Sequence, residues 1–177
     1  MKQSGWLDEP RRVLSDNYDQ RPSDTEISLL VIHNISLPPG SFGDSHIEDF
    51  FCNKLDINAH PYFSEIADLA VSAHLLIDRQ GQLVQFVSFL QRAWHAGDSS
   101  YEGCDNCNNY SIGIELEGVD AGPYTDAQYK ALAQVTSLLI TAYPGLTKDR
   151  IVGHSDIAPG RKTDPGAFDW QRYLSAL

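Results

Sequence analysis

Residues 28–32 read Ser-Leu-Leu-Val-Ile and run into the polar pair His33-Asn34, which predicts a buried strand that ends at a histidine. The segment Arg150-Ile151-Val152-Gly153 predicts a second strand, and it too is followed by a histidine, His154. From Ser111 to Gly118 apolar and polar residues alternate, so a strand there sets Ile112, Ile114 and Leu116 on one face and Glu115 and Glu117 on the other, an acidic face. Residues 72–77 and 83–87 are β-rich and joined through Asp78-Arg79-Gln80-Gly81-Gln82, which predicts an antiparallel hairpin. After Thr125 the period becomes helical: Thr125 suits an N-cap, Gln128 the capping-box position, and Leu132, Val135, Leu139 and Ala142 recur at helical spacing until Tyr143-Pro144-Gly145. A shorter helix is expected over residues 47–55, and a last turn or two over 170–177. Strands and helices mixed in this way predict one α/β domain, residues 1–177, around a mixed or antiparallel sheet.

Bulk properties narrow the partners. A chain of 177 residues fits one domain with a full core. Thirteen basic against 24 acidic residues give a net charge of -11, which repels phosphate backbones and argues against nucleic-acid or anionic-membrane binding in favour of a small substrate. No stretch approaches the ~18 apolar residues of a membrane helix. The N-terminus carries Arg11-Arg12 and lacks the apolar core of a secretory signal, so a cytoplasmic location is expected. Three cysteines, Cys52, Cys104 and Cys107, are an odd number that suggests no disulfide framework, and Cys104-Asp105-Asn106-Cys107 has no second CxxC to complete a metal site. There is no repeat or linker, and residues 37–43 are a loop by their Pro and Gly content.

The chemistry concentrates in residues 153–166, where His154, Asp156, Lys162 and Asp164 stand in a stretch too rich in Pro and Gly for regular structure. A catalytic zinc site takes three protein ligands and leaves one position open, and His33, His154 and Asp164 meet that count. Amide hydrolysis also needs a proton acceptor and a cation for the developing oxyanion, roles open to Glu115 and Lys162. The bland alternatives are hydrogen-bonding loop histidines, a solvated strand carboxylate and a surface lysine. His74 and His95 are rival or supporting groups, whereas His46 and His60 are expected on the surface. Trp94 and His95 offer a flat face with a hydrogen-bonding edge that suits a sugar ring. A thiol hydrolase built on Cys104 or Cys107 with His95 is a weaker alternative.

Residues 30–40 (Leu-Val-Ile-His-Asn-Ile-Ser-Leu-Pro-Pro-Gly), 71–74 (Val-Ser-Ala-His), 92–97 (Arg-Ala-Trp-His-Ala-Gly), 111–118 (Ser-Ile-Gly-Ile-Glu-Leu-Glu-Gly) and 161–166 (Arg-Lys-Thr-Asp-Pro-Gly) together resemble the type 2 zinc amidases, in the branch that acts on 1,6-anhydro-N-acetylmuramyl-L-alanine. The resemblance runs from Gly5-Trp6 to Trp170. This family, which shares its fold with the peptidoglycan recognition proteins, implies a central mixed β-sheet flanked by helices. It implies a cytoplasmic enzyme of peptidoglycan recycling that cleaves the amide between the lactyl group of the anhydro-sugar and L-alanine of the stem peptide. One zinc per chain is implied, with His33, His154 and Asp164 as ligands and Glu115 and Lys162 as the catalytic pair. In that scheme water activated at the metal loses a proton to Glu115 and attacks the lactyl carbonyl, while Lys162 and the metal steady the oxyanion. Asn34, Trp94 and His95 are expected substrate contacts, the expected partner is an anhydro-muropeptide, and a monomer is expected. Where relatives tend to carry arginines the chain has Ala70, Cys104 and Asn106, which implies a weaker grip on an acidic stem peptide; Gly160 replaces a common acid.

Overall fold

The structure, a computed structural model, describes residues 4–177; the first three residues of the N-terminal segment read above lie outside the described residues. In chain order the strands are β1 (Arg11–Arg12), β2 (Tyr18–Gln20), β3 (Leu29–Ile35), β4 (Leu75–Ile77), β5 (Leu83–Gln85), β6 (Gln91–Ala93), β7 (Ser100–Tyr101), β8 (Cys104–Asp105), β9 (Ser111–Glu117) and β10 (Ile151–Gly153). The α-helices are α1 (His46–Phe51), α2 (Asp126–Ala142), α3 (His154–Ile157) and α4 (Trp170–Ser175). Six strands form the main sheet in the order β1-β5-β4-β9-β3-β10. It is mixed but weighted to the parallel side, since only the β4–β5 hairpin runs antiparallel. The reason lies in the connections: β3 reaches β4 through a crossover bearing α1, and β9 reaches β10 through one bearing α2, which returns the chain in the same direction.

Strand parity then decides what each face carries. Leu30, Ile32, Ile112, Ile114, Leu116, Leu75 and Ile77 pack on one face against Leu132, Val135 and Leu139 of α2 and Tyr173 of α4. The opposite face carries Leu29 and Val31, packed against Ala96, Cys107 and Ile157, and beyond them His33 and Glu115. Every residue of β9 is buried, so its acidic face lies under a second layer and the solvated strand carboxylate, the bland alternative for Glu115, does not hold. That layer comes from loops and short elements, with Leu37, Phe50, Phe51, Phe63 and Ile66 packed against Leu76 and Val84.

Helix α2 starts where the capping box predicts: Gln128 N–H donates to Thr125 Oγ1 at 3.1 Å, and Thr125 N–H to Gln128 Oε1 at 3.0 Å, a device typically worth ~1 kcal/mol. The Gln128 amide also donates to the carbonyls of Glu117 and Ile77, at 2.9 and 3.2 Å, which fixes the helix on the carboxyl ends of β9 and β4. Ala142 departs from the helical stripe and is exposed at the last turn. The hairpin turn uses Gly81 at φ +79°, and a Cβ there would sit 2.8 Å from the Ala127 carbonyl. Helix α1 stops at Phe51, short of residue 55, because Asn53 takes a left-handed φ of 57° that breaks the turn.

Candidate active site

The parallel register of β3 on β9 places His33 directly beside Glu115. Both side chains share one face, and β3 runs two residues past the histidine expected to end it. On the far side of β3, β10 ends at Gly153 and delivers His154 as the first residue of α3. Residues 153–166 are therefore not wholly irregular. Asp156 closes the single turn of α3 by accepting from the Gly153 N–H at 2.7 Å, so its role is that of a cap. The chain then returns, and Ser155 N–H donates to the Asp164 carbonyl at 2.9 Å, which brings the Asp164 carboxylate under the two histidines.

Three ligand atoms converge there. His33 Nδ1 and His154 Nδ1 are 2.9 Å apart, and Asp164 Oδ2 lies 3.2 Å from His154 Nδ1 and 3.4 Å from His33 Nδ1. His33 and His154 are 1% and 4% exposed. The outer ring nitrogens have other partners: His154 Nε2 faces the Ala96 carbonyl at 3.3 Å, to which it can only donate, and His33 Nε2 shares a hydrogen bond with His95 Nδ1 at 3.0 Å. Metal binding requires the proton of each ring on Nε2, which leaves both Nδ1 lone pairs facing each other and the carboxylate; without metal, a proton on Nδ1 can instead be donated to Asp164. Burial pushes the His33 imidazole down to about 4, against the pull of Asp164, so the ring is neutral. Asp164 sits well below the ordinary carboxylate range: burial raises it, but hydrogen bonds with His154 and His33 outweigh burial. With both Nδ1 atoms bare the three lone pairs repel unless a cation lies among them, and the separations approximate the roughly 3.3 Å edges of a tetrahedral zinc site with bonds of ~2.0–2.1 Å. His33, His154 and Asp164 thus form a cluster able to hold a metal.

Glu115 Oε2 is buried and has no hydrogen-bond partner. Burial, reinforced by nearby Asp164 and opposed by Lys162, holds this carboxyl well above its ordinary 4.5. An unpartnered carboxyl oxygen next to metal-capable groups is placed to take a proton from an incoming water. It opens, with His154, Lys162 and Asp164, into a cavity of about 390 Å³ walled by Leu37, Phe50 and Tyr62. Lys162 is exposed at the rim. A larger hollow of about 620 Å³ between α1, the hairpin and α2 is lined by Arg11 and several acids and contains no histidine, so chemistry rather than size singles out the site.

The remaining expected site residues fall in different places. Asn34 lines the cavity and donates from Nδ2 to Asp120 Oδ1 at 2.6 Å and to the Tyr124 hydroxyl at 2.9 Å. Trp94 and His95 do not form a joint stacking platform. His95 lines the cavity but is buried with both ring nitrogens engaged, by His33 and by Ser111 Oγ at 3.1 Å, whereas half-buried Trp94 lies outside the cavity lining, near Asp19. His74 lies behind His95, with ring centroids 5.7 Å apart, and accepts at Nδ1 from the Gly113 N–H at 3.0 Å. His60 is exposed as expected, but His46 is half-buried against Phe63. All three cysteines are free, and Cys107 Sγ contacts the Tyr110 hydroxyl at 3.2 Å rather than His95. Ala70, Cys104 and Asn106 are exposed outside the cavity lining.

Sequence reasoning passes over Asp120. Its carboxylate accepts from Asn34, from the Gly166 N–H at 3.0 Å and from the Thr163 hydroxyl, so it ties the loop bearing Lys162 and Asp164 to the end of β3. The available signal is an acid two residues beyond Gly118, where β9 runs out.

The family model described as N-acetylmuramoyl-L-alanine amidase matches residues 23–167, and the chain belongs to that family of amide hydrolases. Within it, the chain is 60% identical to the 1,6-anhydro-N-acetylmuramyl-L-alanine amidase AmpD of Citrobacter freundii, over 98% of this chain and 92% of that one. A crystal structure of AmpD matches with a TM-score of 0.97 at 57% identity, over 100% of this chain and 99% of that one. The N-acetylmuramyl-L-alanine amidase AmiD from E. coli, in complex with the substrate anhydro-N-acetylmuramic acid-L-Ala-D-gamma-Glu-L-Lys, matches with a TM-score of 0.61 at 29% identity, over 89% of this chain and 60% of that one. The protein is an N-acetylmuramoyl-L-alanine amidase.

Proposed function

We propose that this amidase hydrolyses the amide joining the lactyl group of 1,6-anhydro-N-acetylmuramic acid to L-alanine of a stem peptide, with one zinc ion held by His33, His154 and Asp164. The observation that carries the reading is the convergence of His33 Nδ1, His154 Nδ1 and Asp164 Oδ2 beside the unpartnered Oε2 of Glu115. The substrate assignment is supported by the similarity to AmpD. Bound zinc supplies Lewis acidity and lowers the pKa of a water molecule towards ~7.

The chain's own residues do the rest. Glu115, raised by burial, accepts a proton from the attacking water and passes it to the alanine nitrogen as the C–N bond breaks. Lys162 brings a mobile ammonium to the rim, where negative charge gathers on the carbonyl oxygen of the tetrahedral intermediate. Asn34, held by Asp120 and Tyr124, presents its carbonyl oxygen to the substrate from a fixed orientation. The walls formed by Leu37, Phe50 and Tyr62 exclude water and seat the sugar and lactyl carbons. The products are the anhydro-sugar, or its disaccharide, and the free stem peptide.

The same reading makes residues 1–177 a single catalytic domain acting as a monomer in cytoplasmic peptidoglycan recycling. No helix of the described residues is long and apolar enough to cross a membrane. Metal analysis of the purified protein tests the assignment: about one zinc per chain is expected in the wild type, and loss of both zinc and muropeptide cleavage in Asp164→Ala. An Asp164→Ala protein that keeps its zinc and its activity contradicts it.

A further inference from the structure

We propose that His95 is a positioning residue that fixes the orientation and tautomer of His33, in a notch that exists because residue 113 is glycine. The inference rests on the reading of His33 as a metal ligand. His95 Nδ1 is 3.0 Å from His33 Nε2, and His95 Nε2 is 3.1 Å from Ser111 Oγ. A proton on His95 Nε2, donated to Ser111, leaves Nδ1 as an acceptor; His33 then carries its own proton on Nε2 and presents a bare Nδ1 to the metal. With its ring nitrogens occupied in this way, His95 has no polar edge left for substrate.

The surroundings are built for that ring. A Cβ on Gly113 would lie 2.4 Å from His95 Cγ and 2.5 Å from its Nδ1, closer than any real side-chain contact. Gly113 has no positive φ, so its backbone makes no demand for glycine; the space above it does. The backbone N–H groups of His95 and Ala96 both donate to Asn108 Oδ1, at 3.1 and 2.8 Å, which clamps the histidine from below. Arg21 donates to the carbonyls of Asn108, Asn109 and Ser111, at 3.0, 2.8 and 2.8 Å, so the segment that supplies both holders is itself anchored. An outer partner of this kind orients a ligating imidazole, and its removal typically weakens metal binding ~10–100-fold.

The test is zinc affinity, measured by competition with a chelating dye on metal-free wild type, His95→Ala, His95→Asn, Gly113→Ala and His33→Ala, with circular dichroism to confirm folding. Asparagine places a carbonyl oxygen where Nδ1 stood and still accepts from His33. We expect His95→Ala to lose affinity by ~10–100-fold, His95→Asn to recover most of it, and Gly113→Ala to lose a comparable amount although every ligating group is intact. In imidazole nitrogen NMR of the metal-free protein, His33 should be the Nε2–H tautomer in wild type and His95→Asn and a tautomer mixture in His95→Ala. Unchanged affinity in folded His95→Ala and Gly113→Ala, or no recovery by asparagine, overturns the proposal; if His95→Ala does not fold, Gly113→Ala and the asparagine variant decide. Wild-type affinity in His33→Ala instead overturns the ligand assignment, and the inference falls with it.

Discussion

His33 and Glu115 are cross-strand neighbours, paired across the parallel β3–β9 register and turned to the same face of the sheet. The group proposed to bind metal and the group proposed to move the proton are therefore held by backbone hydrogen bonds in the most buried part of the molecule, where neither can drift relative to the other. Lys162 and Asp164 come instead from a loop, which leaves room for substrate on that side.

Replacing Glu115 with glutamine keeps its shape and removes the base. We expect kcat to fall by ~10²–10⁴-fold with zinc content unchanged, read by steady-state kinetics and metal analysis; loss of zinc instead would assign Glu115 to the ligand set.

The same substitution should stabilise the metal-free protein. Burial raises the folded-state pKa of Glu115 above its unfolded value of 4.5. Its contribution to stability is thus fully present below pH 4.5 and lost as pH rises through the folded value. Glu115→Gln should match wild type near pH 4 and exceed it at pH 7.5, because the amide has no charge to desolvate when the carboxyl would ionise. Urea unfolding in chelator measures this, and a variant less stable than wild type at pH 7.5 contradicts it.

The buried histidines act in the opposite sense. Burial depresses His33 to about 4 and His74 to about 3, both from 6.5. A depressed histidine contributes stability above pH 6.5 that is lost as pH falls through the folded value, at about 1.4 kcal/mol per pH unit for each group. In metal-free Glu115→Gln, where the opposing carboxyl is absent, the urea midpoint should drop steadily between pH 6.5 and pH 4. A midpoint that holds or climbs over this window is incompatible with neutral buried rings.

Removing the Lys162 ammonium should leave zinc binding intact and lower kcat by ~10²–10³-fold, the scale for losing one oxyanion-stabilising group. Lys162→Met, which keeps an apolar stem of similar length, makes the comparison. An effect confined to KM would make Lys162 a binding residue only.

Asp120→Ala unties Asn34, Thr163 and the Gly166 N–H together. Because it frees the loop that carries Lys162 and Asp164, both kcat and zinc affinity should fall by roughly 10-fold, the lower end for an outer-sphere group. Wild-type zinc affinity in this variant shows that the loop holds its shape without Asp120.

Much of this arrangement is legible in the chain because the signals are local. The capping box at Thr125 and Gln128 marks the start of α2 to the residue, and alternation in β9 separates Ile112, Ile114 and Leu116 from Glu115. What fails is whatever depends on a partner distant in sequence. Alternation reads the same whether the polar face meets water or a second layer, and nothing local shows where the short helix bearing Phe50 and Phe51, or the segment with Phe63 and Ile66, will pack, so the burial of Glu115 and Glu117 is invisible. The turn of α3 is hidden by the Pro and Gly content that follows it and depends on Asp156. The hold on His95 is hidden because Ser111 and Asn108, which engage it, lie more than ten residues away; Gly113 in mid-strand is the one local sign that a ring needs space there.

The central claim is that a single metal bound by His33, His154 and Asp164 is required to cut the lactyl–alanine amide. Chromatography with mass spectrometry on an anhydro-muropeptide, using protein stripped of metal and then titrated with zinc, tests it directly. The stripped protein should release no free stem peptide, and activity should recover to saturation at one equivalent of zinc. Full release of the peptide by protein verified to be metal-free would contradict it.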